Sequence, residues 1–185
     1  DGTPQYKASS TMTGTLDSLQ GSARTTVTLT GAGLGKMLSI VFTKDSINAP
    51  FLATLNTDNA LIFQVPDDAA GGDQKIKFTN TEGVTLEVDF KVIALPAVNS
   101  LSSNEAAAGD QITIKGNNFN DVTSVQVASS GENITVVSQT KTQMVVQMPA
   151  TDAERVAFKM TNASGTSVSQ LDVVNVNKAL TVYSD

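Results

Sequence analysis

The chain repeats itself once. Val27-Thr28-Leu29-Thr30-Gly31 matches Ile112-Thr113-Ile114-Lys115-Gly116, 85 positions on, and the same spacing pairs Leu34 with Phe119, Ser39 with Ser124 and Ile40 with Val125. Leu61-Ile62-Phe63-Gln64-Val65-Pro66 then matches Met144-Val145-Val146-Gln147-Met148-Pro149 at 83 positions. Phe78-Thr79-Asn80-Thr81-Glu82-Gly83 matches Met160-Thr161-Asn162-Ala163-Ser164-Gly165 at 82. The drift falls in turn-rich stretches, where small deletions are tolerated. A solenoid repeat runs to roughly 20–50 residues, so a unit of this length is a whole small domain present twice.

Within each copy the apolar residues alternate. Val27 and Leu29 lie between Thr26, Thr28 and Thr30; Leu61, Phe63 and Val65 between Ile62 and Gln64; Ile76 and Phe78 beside Lys75 and Lys77. The second copy does the same with Ile112 and Ile114, with Met144, Val146 and Met148, and with Phe158 and Met160. Successive strand residues point to opposite faces, so each run presents one apolar and one mostly polar face. That is an antiparallel sheet with one wet side. Short strands separated by Gly, Asn and Pro indicate a sandwich or a barrel. Pro66 and Pro149 close strands, where the missing N–H costs nothing. Leu86, Val88 and Phe90 align imperfectly with Val168, Leu171 and Val173, which predicts a slip or bulge in the second copy. One short helical turn is expected between Ser103 and Gly109.

The pattern divides the chain into an unstructured leader over 1–10, a first domain over 11–94, a second over 95–177, and a tail over 178–185 that reads as the start of something further. The join Ala94-Leu95-Pro96-Ala97 is short and holds a proline, so a semi-rigid pair is expected.

Composition removes several function classes. There is no His, the side chain most used for proton transfer near neutral pH and the commonest imidazole ligand. There is no Cys, so core burial alone must hold the fold. The net charge is −6, with 12 Lys plus Arg in no cluster. Nucleic-acid binding depends on Lys and Arg displacing phosphate counterions, so that partner is set aside. No apolar run approaches the roughly 20 residues of a membrane-spanning helix.

Candidate chemistry is sparse. Asp67, Asp68 and Asp73 share a loop with Gly71 and Gly72. Calcium takes several carboxylate and carbonyl oxygens, but this spacing is not that of an EF-hand, and a solvated acidic turn is the simpler reading. No Ser lies in a Gly-x-Ser-x-Gly elbow and no His is present to act as base, so no catalytic residue and no cofactor are assigned. Sugar rings are usually held on exposed Trp or Tyr. Here Trp is absent and the tyrosines, Tyr6 and Tyr183, sit near the termini. Phe63, Phe78, Phe119 and Phe158 are in core phase, which leaves Phe51, beside Pro50, as the one loop aromatic available for a ligand.

The second copy resembles the IPT/TIG family of immunoglobulin-like domains, found in plexins, some transcription factors and many bacterial surface proteins. The resemblance runs from Pro96-Ala97-Val98-Asn99-Ser100-Leu101 through Ala108 to Phe119, Val122 to Val125 and Pro149, to Asn162-Ala163-Ser164-Gly165. Its signature residues are Gly116, Asn117, Asn118, Phe119, Asn162 and Gly165. Gly116 is expected at a positive φ at a tight corner, Asn117 and Asn118 in the turn, and Phe119 folded back over the core. Asn162 to Gly165 is read as the turn between two strands. The first copy has Gly31-Ala32-Gly33-Leu34 instead of Gly-x-x-Phe and lacks the opening proline.

The resemblance implies an all-β protein of two tandem immunoglobulin-like antiparallel β-sandwiches. It also implies a context. Tandem modules of this kind look like the N-terminal part of glycan-binding lipoproteins on the bacterial outer-membrane surface, where they act as spacers. The expected role is therefore a non-catalytic, extracellular, monomeric spacer. The partner would be a polysaccharide or another surface protein, met through a domain outside this chain. Any membrane attachment would be a lipid anchor outside it. The alternative is that the sandwiches themselves bind a carbohydrate or protein ligand through loops or an edge strand.

Overall fold

The computed structural model describes residues 6–177. The chain divides into two compact units, Asp1–Ala94 and Leu95–Asp185. The leader reading for residues 1–5 and the tail reading for 178–185 lie outside the described residues.

The first unit contains β1 (Thr13–Leu16), β2 (Gln20–Gly21), β3 (Thr26–Ala32), β4 (Met37–Phe42), β5 (Ile47–Asn48), a 3-10 turn (Ala53–Leu55), β6 (Ala60–Gln64), β7 (Gly72–Asn80) and β8 (Thr85–Val92). One sheet has the order β1-β3-β6 and the other β2-β8-β7-β4-β5. The second unit contains β9 (Ala97–Leu101), β10 (Glu105–Ala106), β11 (Gln111–Asn117), β12 (Ser124–Val127), β13 (Val136–Gln139), β14 (Gln143–Gln147), β15 (Arg155–Asn162) and β16 (Gly165–Asn175). Its sheets run β13-β14-β11-β9 and β10-β16-β15-β12. These are immunoglobulin-like sandwiches.

Alternation becomes burial residue by residue. Val27 and Leu29 of β3, and Ile112 and Ile114 of β11, are fully buried, while the residues between them are only partly covered. Each unit closes its own core. The first is aromatic: Phe42 meets Phe63 and Phe90 edge-on, with ring centroids 6.3 and 5.8 Å apart, and Phe63 meets Phe78 at 5.5 Å. The second packs Met144, Met148 and Met160 around Phe119 and Phe158. Methionine is unbranched and fills irregular gaps, so the two cores reach similar burial with different shapes.

Three expectations need correction. The sheets are not wholly antiparallel: β2 pairs with β8, and β10 with β16, in parallel. The chain leaves β1 or β9, crosses between the sheets, and adds a two-residue strand to the opposite one. Ser18 and Ser103 hold this crossing in the same way, donating to the carbonyls of Gln20 and Glu105 at 2.7 and 2.6 Å. The Lys91 and Val174 amides donate to the Leu19 and Asn104 carbonyls at 2.9 and 2.8 Å. The segment from Ser103 to Gly109 therefore holds this strand and no helical turn; the 3-10 turn lies in the first unit instead.

The third correction concerns Gly116. Its φ is not positive; the left-handed residue in that corner is Asn118, at φ 64°, and its counterpart in the first unit is Gly33, at φ 75°. Asn is among the residues that tolerate this conformation. Gly116 is needed for close approach. A Cβ there would overlap the Ala97 carbonyl oxygen and lie 2.6 Å from Phe119 Cζ, and one on Gly31 would overlap the Thr13 carbonyl. Leu34 and Phe119, which follow these corners, are both fully buried. The first copy thus keeps the geometry while departing from the Gly-x-x-Phe letters.

Asn80 and Asn162 begin the two hairpin turns and are buried. Asn80 Oδ1 accepts from the amides of Glu82 and Val84, both at 3.0 Å, and its Nδ2 donates to Ser9 O at 2.8 Å. Asn162 Oδ1 accepts from Ser164 N at 2.9 Å and its Nδ2 donates to Asn118 O at 3.2 Å. The amide ties each hairpin turn to another part of its own unit. The irregularity expected late in the second copy is a bulge in the β15–β16 pairing: Ala157 faces Asp172 and Lys159 faces Val168. Ser169 Oγ fills the gap by accepting from Phe158 N at 2.9 Å. In the first copy the outward residues of the regular β7–β8 hairpin pair by charge: Asp73 opposite Lys91, Lys75 opposite Asp89, Lys77 opposite Glu87.

Gly116→Ala should lower stability by about 3 kcal/mol, since the new methyl meets backbone that cannot yield. Urea unfolding followed by circular dichroism measures this; a loss below about 0.5 kcal/mol would contradict the packing argument.

Candidate functional site

The acidic turn does not assemble a site. Asp67 accepts from Arg24 Nε at 2.9 Å and from its second guanidinium nitrogen at 3.3 Å. Both partners are well exposed, so the pair contributes little to stability. Asp68 is exposed in the same turn, and Asp73 lies in β7 opposite Lys91. Among the described residues no three His, Cys, Asp or Glu side chains are grouped to hold a metal ion. Two surface cations have shifted titration. Arg24 is held above its ordinary value by its hydrogen bond to Asp67, and Lys75 above its own by its hydrogen bond to Asp89. Lys75 lines an open surface pocket with Leu19, Gln74 and Phe90, where its charge is met by Asp89.

Phe51 is half-buried against the first core. It bridges to Phe63 of β6, and Gln64 N donates to Pro50 O at 3.3 Å. This is where the copies differ most. In the second unit β14 is flanked by β11 and by a full strand, β13. In the first, β6 pairs with β3 alone and its other side carries only this bridge and the 3-10 turn. The substitution leaves a shallow groove lined by Thr26, Pro50, Phe51, Leu52, Ile62 and Gln64. Leu52 is 64% exposed and Ile62 38%. Neither residue stands out in the sequence: Ile62 falls on the polar phase of its strand. The readable signal is Phe51 beside Pro50.

The other described phenylalanines point inward. Phe42, Phe63, Phe78, Phe90, Phe119 and Phe158 are buried. Tyr6 is 61% exposed, with the Lys36 ammonium 5.3 Å from its ring centroid. Tyr183 lies outside the described residues. The signature residues Gly116, Asn117, Asn118, Phe119, Asn162 and Gly165 form the corner and the hairpin turn already described, where they position backbone.

The groove residues should separate by role. Phe51→Ala should cost about 1–2 kcal/mol in chemical unfolding, because part of the ring packs on the core, whereas Leu52→Ala should change stability by no more than about 0.5 kcal/mol.

Residues 96–174 match the family model described as IPT/TIG domain. No curated protein sequence matches the chain. Among solved structures, the chain is similar to the surface glycan-binding protein PbSGBP-B from Prevotella bryantii, with 24% identity and a TM-score of 0.64 over 91% of this chain and 40% of that one. A protein solved with a xylogluco-oligosaccharide is 20% identical, with a TM-score of 0.53 over 83% of this chain and 39% of the other. Likeness at these identities is likeness of fold. The chain spans about two fifths of the length of either structure.

Proposed function

We propose that, with an IPT/TIG match over residues 96–174 as its second unit, the chain is a non-catalytic extracellular part of a polysaccharide-capture protein. Within it the two sandwiches serve as a spacer that holds a binding domain away from the bacterial outer membrane. The binding domain and any lipid anchor belong to regions outside these residues, and the chain is monomeric. The observation that carries this reading is the inward turn of the phenylalanines: apart from half-buried Phe51, every phenylalanine among the described residues lies within a core. Sugar rings are usually held on a flat exposed aromatic face with polar groups at its rim, and Tyr6, the exposed tyrosine among the described residues, already has the Lys36 ammonium 5.3 Å from its ring centroid. The fold-level likeness to PbSGBP-B, whose own length is much greater, supports the same context.

A second reading rests on the Phe51 groove, where exposed apolar side chains, Leu52 and Ile62, flank a half-buried aromatic ring. There the first sandwich would itself hold a carbohydrate.

Affinity electrophoresis of this chain through gels containing xyloglucan, mixed-linkage glucan, xylan or mannan separates the two. The spacer reading expects unchanged mobility in every gel. Retardation in one gel that disappears in Phe51→Ala would replace it with direct binding at the groove.

A further inference from the structure

The two copies also differ at one core position. Val92 of β8 and Asn175 of β16 occupy equivalent places: Val92 pairs in parallel with Gly21 of β2, and Asn175 with Ala106 of β10. Both are 2% exposed. An apolar side chain in one copy is an amide in the other. Burial of an amide is unfavourable unless its polar atoms find partners. Asn175 Nδ2 has two, donating to the carbonyls of Thr151 at 2.9 Å and Ala153 at 3.0 Å. Two acceptors on one side fix the orientation of the amide, because an oxygen placed there would face two oxygens. Oδ1 must therefore point the other way, and it accepts no hydrogen bond from the described residues. No fully enclosed side-chain atom among those residues lacks a partner. Oδ1 must then reach open space, and the space Asn175 lines is a pocket at the end of the second sandwich.

That pocket is rich in oxygen acceptors. Glu132 and Asp152 contribute carboxylates, and Pro149, Ala150 and Thr151 also line it. The Thr151 hydroxyl donates to Glu132 Oε1 at 2.7 Å, which orients the carboxylate. No Lys or Arg is among the described residues that line it. Two carboxylates and an amide oxygen with no partner among the described residues match the preference of a hard divalent ion for oxygen ligands.

We propose that this pocket binds a calcium ion through Asn175 Oδ1 and the carboxylates of Glu132 and Asp152. Water and main-chain carbonyls complete a shell of roughly six to eight oxygens. Two carboxylates set a modest affinity, with a Kd of about 0.1–1 mM, the range of extracellular modules. The inference is independent of the spacer reading, since it rests on one unit and one pocket.

Isothermal titration of the chain with calcium chloride, at about 0.15 M salt to screen loose surface attraction, tests it. Wild type should show one site. Asn175→Val restores the residue of the first copy and keeps both carboxylates, so it should bind at least tenfold more weakly. Adventitious attraction to the carboxylates would survive that change, and equal affinity in Asn175→Val overturns the proposal. Absence of calcium heat from the wild type, or equal binding of magnesium, overturns it as well. Circular dichroism checks that the variant is folded. Should Asn175→Val fail that check, Glu132→Gln decides: a tenfold loss supports the site, and unchanged affinity sinks it.

Discussion

Burial of one face of β3 and one face of β11 is the interaction on which the two sandwiches are built. Each of these strands lies between two neighbours, β1 and β6 in the first unit, β9 and β14 in the second, and each sends two fully buried side chains into its core. A one-residue slip would turn those side chains to water and threonines or a lysine inward. The alternation fixes register for these reasons, and the rest follows from it. The opposing sheet must supply the complementary apolar face, which β4, β7 and β8 do with Ile40, Phe42, Ile76, Phe78 and Phe90. The corners must let strands approach closely, which explains a glycine at 31 and at 116.

What the sequence makes legible follows the same logic. Repetition and period-two alternation respond to burial, and burial is a property of single residues, so β3, β6, β7 and their copies can be read directly. Features that depend on backbone meeting backbone are harder to read. Gly116 is recognisable as a special position, yet only coordinates distinguish a left-handed φ from a close carbonyl. The parallel strands β2 and β10 are two residues long, below the length at which any periodicity registers. Asn80 and Asn162 look like ordinary turn residues, and their second role, tying the turn to Ser9 and to Asn118, depends on contacts distant in sequence. The candidate ligand residues fare worst. The three aspartates grouped by sequence are not brought together, whereas Glu132, Asp152 and Asn175 come together only through the fold.

Duplication makes these differences interpretable, because each unit serves as a reference for the other. Leu34 for Phe119 and Phe78 for Met160 exchange volume within a core and leave the architecture alone. The Phe51 bridge in place of β13 exchanges a strand for a loop and leaves apolar side chains uncovered. Val92 against Asn175 exchanges oil for an acceptor oxygen. Substitutions of the first kind are the expected drift of a packed interior; those of the second and third kinds change what the surface can hold.

The crossing of the first strand between sheets has a mechanical consequence. Because β10 runs in the same direction as β16, tension entering the unit ahead of β10 and leaving it after β16 drags the two strands past each other lengthwise. Their hydrogen bonds then resist together in shear instead of unzipping in turn. The same holds for β2 against β8. Each sandwich thus carries a latch whose grip is set by strand polarity.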